Sequence, residues 1–390
     1  MENKITFCIP SKDNLRYLKS SINSIKQNSS LDNEIIVWVD SSNDGTIEWL
    51  EENKIKHLIN PKTDLQGIAT GYNRCIEAAS NDIVCMFHAD MFMGKGFDKN
   101  LIKHLKPKTV ISGTRIEPPL HPEGKEKIIK DFGMYPEDFK EKEFNKFVSK
   151  IQKEEKDTTT PGIFAPWICY KDEIMEIGMH DQTFHSYNED SDMFNRFVLN
   201  GMKLIQSRDA IVYHLTCRGG MFQDGVEQPT KDEKFYNMKT NSARNITRKW
   251  GSWIKIDQYH HPYISPKYDV GFIVKNCSLP LLKLLEPWCG TIYIEDPMQV
   301  ITIAYFEKEK NNTSYDLSTR VLPYDNEKNN EILIRIDAKT FSKKDFEIIM
   351  KLPEIIKNSG SIGSFQLSNL GIDIIQMNEY QNNLINNISF

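Results

Sequence analysis

The chain has 390 residues, 39% hydrophobic and 26% charged, with a formal net charge of -5 at pH 7. That is an ordinary soluble composition, long enough for one large core and a second, smaller domain. The acidic balance argues against a broadly nucleic-acid-binding surface, and no run reaches the roughly 20 apolar residues that a membrane span needs.

The seven cysteines (Cys8, Cys75, Cys85, Cys169, Cys217, Cys277, Cys289) form no CxxC pair. That leaves no zinc or redox signature and fits a reducing compartment. The N-terminus, MENKITFCIP, enters a strand without a long apolar secretory segment. The expected location is the cytoplasm, where the chain can still work peripherally at a membrane.

In chain order, Ile5 to Ile9 reads as the first strand, stopped by Pro10, with a polar loop Ser11-Lys12-Asp13-Asn14 after it. Leu15, Leu18, Ile22 and Ile25 recur at helical spacing. Glu34 to Val39 is the second strand and runs into Asp40; Ser41 to Thr46 is polar and opens the helical run Ile47 to Leu50. Two strands ending in polar loops that open helices are the βαβ grammar of a parallel nucleotide-binding sheet.

Ile55 to Asn60 is the third strand, and Gly67 to Arg74 a helix start whose small residues permit close approach. Ile83 to Phe87 is a short apolar run of the kind buried on both faces of a sheet. It stops at His88-Ala89-Asp90, with Gly94 and Gly96 beyond, so the chain turns there. A carboxylate at that strand end lies where open α/β sheets place ligands, and a hard cation with phosphate oxygens is a common occupant. The plainer reading of Asp90 is a turn cap.

Leu101 to Leu105 reads as helix and Thr109 to Thr114 as strand. Residues 116–160 turn strongly polar and read as a surface insertion with one or two helices. Pro161 to Trp167 is compact and aromatic; Glu173 to Ile177 is helical up to Gly178. Tyr187 to Asp192 opens a helix with acidic residues in its first turn, and Gly201 ends it. Lys203 to Gln206 and Ala210 to Tyr213 are short strands, the second leading into His214. From Val270 a second α/β unit begins. Its expected strands are Val270 to Val274, Thr291 to Ile294, Ile301 to Phe306, Ile332 to Ile336 and Ile372 to Gln376. Helices are expected at Leu279 to Leu285 and Phe346 to Leu352, and a long polar loop from Glu307 to Asn330.

Taken together, Ile9 to Asn14, Glu34 to Asp40, Asn43 to Thr46, Gly67 to Arg74, His88 to Asp90, Glu189 to Arg196, Gly201 and His214 resemble the family 2 glycosyltransferases. The resemblance covers about the first two thirds of the chain. It implies a GT-A fold, a mixed α/β sheet flanked by helices, over residues 1–262; the residues beyond it read by their own pattern as a smaller α/β domain over 268–390. It also implies an inverting reaction, a nucleotide-sugar donor with UDP-sugars favoured, and a glycan or other hydroxyl acceptor.

The implied site residues follow position by position. Pro10, Ser11, Asp13, Asp40 and Asp44 match the loops along the nucleoside, and Asn73-Arg74 the helix that closes over the nucleotide sugar. His88-Ala89-Asp90 matches the DxD motif, with His88 in place of the first acid. Asp90 keeps the metal contact, and His88 faces the ribose or another neighbour.

Expelling a nucleoside diphosphate needs charge stabilisation, which Mn2+ or Mg2+ supplies. Asp90 is the first ligand and His214 the second, the alternative for His214 being an ordinary core histidine. Arg218 is placed to fork onto the diphosphate, unless it is a solvated loop charge. Asp190 is the general base beside Glu189, where crowded carboxylates raise a pKa; the alternative is a charged helix cap. Glu189 and Trp167 are assigned to the acceptor, against a packed-core reading for the indole. Arg244, Arg248, Lys249 and Trp250 read as a solvated helix face or a contact for an anionic acceptor.

Two rival functions remain. A sugar-phosphate nucleotidyltransferase would want a glycine-rich loop after the first strand, which Ile9 to Asp13 lacks. A non-catalytic glycan-binding or scaffolding protein is kept alive by His88. The C-terminal domain carries no recognisable chemistry and is free to dock an acceptor, a partner enzyme or a second copy of the chain.

Overall fold

In the computed structural model, residues 3–216 and 233–386 are described. The chain divides into two compact units, Met1–Met238 with Ile256–Pro262, and Lys239–Lys255 with Tyr263–Phe390.

The first unit begins β1 (Ile5–Ser11), α1 (Leu15–Asn28), β2 (Glu34–Val39), α2 (Thr46–Glu52), β3 (Lys56–Ile59), α3 (Gly67–Ala78) and β4 (Ile83–Met86). It continues with β5 (Met91–Met93), α4 (Phe97–Ile102), β6 (Thr109–Glu117), β7 (Lys127–Ile129), α5 (Glu141–Glu154), β8 (Thr159–Pro161), β9 (Trp167–Tyr170), α6 (Lys171–Glu176), α7 (Glu189–Leu199) and β10 (Lys203–His214). These strands make one sheet in the order β3-β2-β1-β4-β9-β6-β10-β5, with β7 beside β6 and β8 beside β10. The first four are parallel, β9 runs against both its neighbours, β10 lies parallel to β6, and β5 runs against β10. This is the mixed, helix-flanked sheet expected from the resemblance.

Pro10 does not stop β1. Its ladder with β4 ends at Cys8 and Met86, and beyond that β1 pairs only with β2, through Ser11 and Val39. A residue without an N–H is tolerated where one neighbouring strand has already ended. The two short strands expected around His214 are one strand, β10, with an irregularity in its register between Gln206 and Ile211. Polar Ser207 and Asp209 are buried in that stretch. They break the apolar alternation in the sequence without ending the strand.

The polar stretch 116–160 is not all surface. Phe132, Phe139, Phe144, Phe147 and Val148 join Ile116, Ile211 and Tyr213 in one apolar cluster. α5 carries Phe144 and Val148 on its buried face. The aromatics are outnumbered by Lys and Glu in the sequence, but helical spacing collects them on one side. Among the described residues no helix is long and apolar enough to cross a membrane, and the cysteines described are all free and buried.

The second unit has a six-stranded sheet in the order Val321–Pro323, Thr291–Ile294, Val270–Lys275, Ile332–Asp337, Leu370–Ile374, Gly363–Leu367. Its first four strands are parallel, the fifth opposes the fourth, and the sixth opposes the fifth. Counted along the chain within the unit, that begins third, second, first, fourth, then an antiparallel strand, as the first unit's sheet does.

Val300–Glu309, expected to contain a strand and then loop, is a helix with Tyr305 buried and Ile303 exposed. An apolar run of this length fits either period, and packing decides it. Part of the expected loop beyond is ordered as the helix Leu317–Arg320 and the strand Val321–Pro323.

The helix Glu233–Trp250 corrects another expectation. Arg248 is not on a solvated face; it is 3% exposed and donates to Glu286 Oε2 at 2.9 and 2.7 Å and to Glu309 Oε1. Arg320 and Tyr305 also donate to Glu286, and Arg244 to Glu309 at 2.9 Å. These are buried charges held by complementary partners in the second unit's core.

Candidate active site

β4 is buried along its whole length, and the chain turns after it through His88, Ala89 and Asp90. The next three residues form β5, which the sequence reading missed. β5 pairs antiparallel with β10 in a register that sets Met91 opposite His214. Leu215 N donates to Asp90 O at 3.0 Å and fixes the junction. This pairing places Asp90 beside His214, more than a hundred residues apart in sequence.

His214 Nε2 lies 3.5 Å from Asp90 Oδ1, and His214 Nδ1 lies 3.0 Å from Glu117 Oε1. The His88 ring centroid is 5.5 Å from that of His214. One ligand atom from each of His88, Asp90 and His214 lies within 4.8 Å of the others. Such a donor set fits a divalent cation: neutral imidazole and carboxylate are both ligands, and a carboxylate on the far nitrogen of a ligating histidine is a recurrent support.

The electrostatics agree. Burial lowers the His214 pKa, but Asp90 and Glu117 outweigh it and lift the imidazole to about 9, so without a cation a proton balances the carboxylates. Burial, helped by the charge on His214, pushes His88 down to about 4. Burial would raise Glu117, yet His214, Arg115 and Lys127 hold it far below the carboxylate range.

Glu117 and Arg115 were not foreseen. They sit two apart on β6, all of which is buried. A charged pair at strand spacing was the available signal, because residues i and i+2 share a sheet face. Arg115 Nε donates to Glu117 Oε1 at 2.9 Å, and its guanidinium lies 3.6 Å from the centre of the Phe164 ring. Nη2 reaches Glu126 Oε1 at 3.4 Å. Nη1 is buried without a hydrogen-bond partner among the described residues.

The same guanidinium acts on the acidic helix start. Burial raises the Asp190 pKa to about 6, and the Arg115 charge opposes the rise. Glu189 is raised to about 8 by burial and by the Asp190 charge. Asp190 Oδ1 and Glu189 Oε2 are buried with no hydrogen-bond partner among the described residues, as is the hydroxyl of Tyr72 on α3. Both carboxylates act on Tyr72 and raise it further than burial alone. Asp192, one turn into α7, is used differently: it pairs with Arg196 at 2.8 Å with both side chains fully buried. Arg196 also donates to the carbonyls of Ile177 and Met179, bracing the loop before the helix.

The residues that the resemblance assigns to the nucleoside lie at and just beyond the ends of β1 and β2, where the chain itself engages the three aspartates. Asp40 accepts from Asn60 Nδ2 at 2.7 Å and Gly67 N at 2.8 Å, and so holds the start of α3. Asp44 accepts from Leu15 N at 2.8 Å and Thr46 Oγ1 at 2.6 Å. Asp13, at φ 46°, accepts from Asn43 N at 2.8 Å and pairs with Lys12. Pro10 packs near Gly71 of α3, and Ser11 Oγ is buried without a partner among the described residues.

Three assignments differ in surroundings from the sequence reading. Asn73 is buried and bonds both backbone groups of His180, at 2.8 and 2.9 Å, so its amide staples α3 to that loop. Arg74 is exposed and pairs with Glu77. Trp167 is 0% exposed, with edge contacts to Phe194 and Phe197 at 6.1 and 5.4 Å, and in this conformation offers no free face to a sugar. Ala89 is buried in the turn. Arg218 lies outside the described residues.

Gly67 makes a local prediction. It sits at φ +82°, and a Cβ there would lie 2.2 Å from the His185 carbonyl oxygen. Gly67→Ala is expected to cost about 1–3 kcal/mol from backbone conformation alone, with the overlap added. The check is the urea midpoint; an unchanged midpoint would mean that α3 starts elsewhere.

Residues 6–176 match the model "Glycosyl transferase family 2". No curated protein matches the chain. Among solved structures, TarS of S. aureus in complex with UDP is 14% identical, covering 54% of this chain and 60% of that one, with a TM-score of 0.40. The mannosyltransferase PcManGT from Pyrobaculum calidifontis in complex with GDP-Man and Mn2+ is 16% identical, covering 62% of each chain, at 0.40. GalNAc-T7 with UDP, GalNAc and Mn2+ is 13% identical, covering 62% of this chain and 48% of that one, at 0.45. The chain thus spans less than two thirds of the length of each of these solved proteins.

Proposed function

We propose that this chain, whose residues 6–176 carry the glycosyl transferase family 2 pattern, moves a sugar from a nucleotide-diphosphate donor to a hydroxyl acceptor with inversion. The observation that carries the reading is a buried chain of contacts: Asp90 beside His214, His214 on Glu117, and Glu117 on Arg115. Asp190, whose raised pKa the Arg115 charge opposes, is the carboxylate that this reading pairs with the cation ligands Asp90 and His214.

In the reaction the acceptor oxygen attacks the anomeric carbon while the bond to the diphosphate oxygen breaks on the opposite face. Asp190 takes the acceptor proton as the new bond forms. A pKa near 6 leaves it ionised at neutral pH and close enough to the working pH for proton transfer. Glu189, raised to about 8, keeps its proton there and stands beside the base as a hydrogen-bond donor for the acceptor. Asp90 and His214 would hold Mn2+ or Mg2+, which when bound supplies positive charge against the leaving diphosphate. The ends of β1 and β2, with Ser11, Asp13 and Asp40, border the nucleoside; UDP-sugars are the favoured donors, and a glycan in surface-polysaccharide synthesis is the favoured acceptor.

The test is a panel of nucleotide sugars with Mn2+, followed by nucleoside diphosphate release. Release from a UDP-sugar is expected. No release and no nucleotide binding from any donor would leave a non-catalytic glycan-binding protein as the better reading. Asp90→Ala is expected to weaken metal-dependent donor binding by about tenfold or more, measured by calorimetry with and without Mn2+. An unchanged Mn2+ dependence would move the cation elsewhere.

A further inference from the structure

His88 occupies the place where the DxD pattern has its first carboxylate, and it does not point away. Its ring lies 5.5 Å from that of His214, and its ligand atom falls within 4.8 Å of those from Asp90 and His214. Three backbone features hold the three donors: the turn after β4, the β5–β10 pairing opposite Met91, and the end of β10. Behind them, Glu117 engages Nδ1 of His214 at 3.0 Å and leaves Nε2 directed at Asp90. Glu117 is itself fixed by Arg115 at 2.9 Å and Lys127 at 3.0 Å.

We propose that His88 is a third protein ligand, and that His88, Asp90 and His214 hold a first-row transition cation such as Mn2+ or Co2+ before any nucleotide arrives, in preference to Mg2+. This rests on the reading of Asp90 and His214 as metal ligands.

The argument is one of donor chemistry. Mg2+ is bound by oxygen ligands, sheds water reluctantly, and is usually held by one or two carboxylates together with substrate phosphates. Two imidazoles and a single carboxylate serve it poorly. They suit first-row transition ions, whose affinity for such a site rises from Mn2+ through Co2+ to the later divalent ions. Replacing an acid by His88 also removes one negative charge and adds a nitrogen. That lowers the attraction for any cation at long range and raises selectivity at contact. With three protein ligands the ion no longer depends on the diphosphate for its attachment.

The full chain, stripped of metal and free of nucleotide, is titrated with Co2+ followed by visible absorption and with Mn2+ followed by electron paramagnetic resonance. One ion per chain is expected, and Mg2+ in about 100-fold excess should displace less than half of the Mn2+. His88→Ala is expected to weaken Mn2+ binding about 10- to 100-fold. His88→Asp, which restores an oxygen donor and guards against a folding defect, should narrow the preference over Mg2+ by about tenfold or more. Unchanged Mn2+ affinity in both variants, or displacement by equimolar Mg2+, overturns the proposal. Sugar transfer by the wild type together with unchanged affinity in the variants sinks the His88 assignment alone. Binding as expected, with no donor turned over, supports His88 and sinks glycosyl transfer.

Discussion

Asp190→Asn is expected to lower kcat/KM by about 100- to 10,000-fold, the range associated with loss of a general base, while donor binding changes by less than about twofold. The amide has the same shape but cannot take the acceptor proton. The charged and titratable groups acting on Asp190 are Glu189 on its own helix, Tyr72 on α3 and Arg115 on β6. Burial dominates and lifts Asp190 to about 6.

The wild-type kcat/KM should therefore rise through pH 6 and level off, and the variant should lose that limb. Glu189 and Asp190 interact, so the limb belongs to the pair. The sign for stability is opposite. A folded-state pKa above the unfolded value near 3.9 means that the folded chain binds the proton more tightly. Stability from this group is present below that value and is lost as pH rises through about 6. Asp190→Asn should accordingly leave the melting temperature at pH 7 unchanged or higher. A large loss of donor affinity, or an intact acid limb in the variant, would contradict the base assignment.

The second large effect lies in the C-terminal unit. Glu286→Gln is expected to destabilise it by about 3–5 kcal/mol, the usual result of removing one partner from a buried ion pair. Glu286 is 0% exposed and accepts from Arg248, Arg320 and Tyr305. Without its charge Arg248 keeps Glu309, but Arg320 loses its carboxylate and turns to the carbonyls of Glu286 and Cys289 alone. Burial would raise Glu286, yet Arg320 and Arg248 bring it down to about 2.

A depressed carboxylate stabilises the fold above its unfolded pKa, near 4.3, and that stability is lost as pH falls through about 2. The difference between wild type and variant should be full at pH 7 and shrink steadily below pH 4. Denaturant titrations at pH 7 and pH 3 make the comparison. A loss below about 1 kcal/mol at pH 7 would mean that the substituted amide recovers the network through neutral hydrogen bonds.

Local pattern was enough where one period dominated. Glu34–Val39 is a strand over the expected residues, and Leu15, Leu18, Ile22 and Ile25 lie on α1, which starts at Leu15. Leu18, Ile22 and Ile25 are buried there. Pattern failed where two periods fit, as at Ile301 to Phe306, or where polar residues interrupt a strand, as at Ser207 to Asp209. It also failed where composition hid the apolar minority, as at Phe132 to Val148. The basic stretch at Arg244 and Arg248 looked solvated because its partners Glu286 and Glu309 lie some forty and sixty residues further on.

By itself the sequence determined the βαβ order of the first unit, the strand ends that carry Asp40 and Asp90, and the acidic start of α7, because each is written in residues a few positions apart. Only the tertiary structure decided which of those ends meet. The pairing of Met91 with His214 brings Asp90 to the histidine, and β6 supplies Glu117 to that histidine and Arg115 to Glu117. It also turned Trp167 and Asn73 inward, to the core and to the His180 backbone. Strand pairing joins segments a hundred residues apart through backbone hydrogen bonds that every residue type offers, so the side chains alone do not announce it.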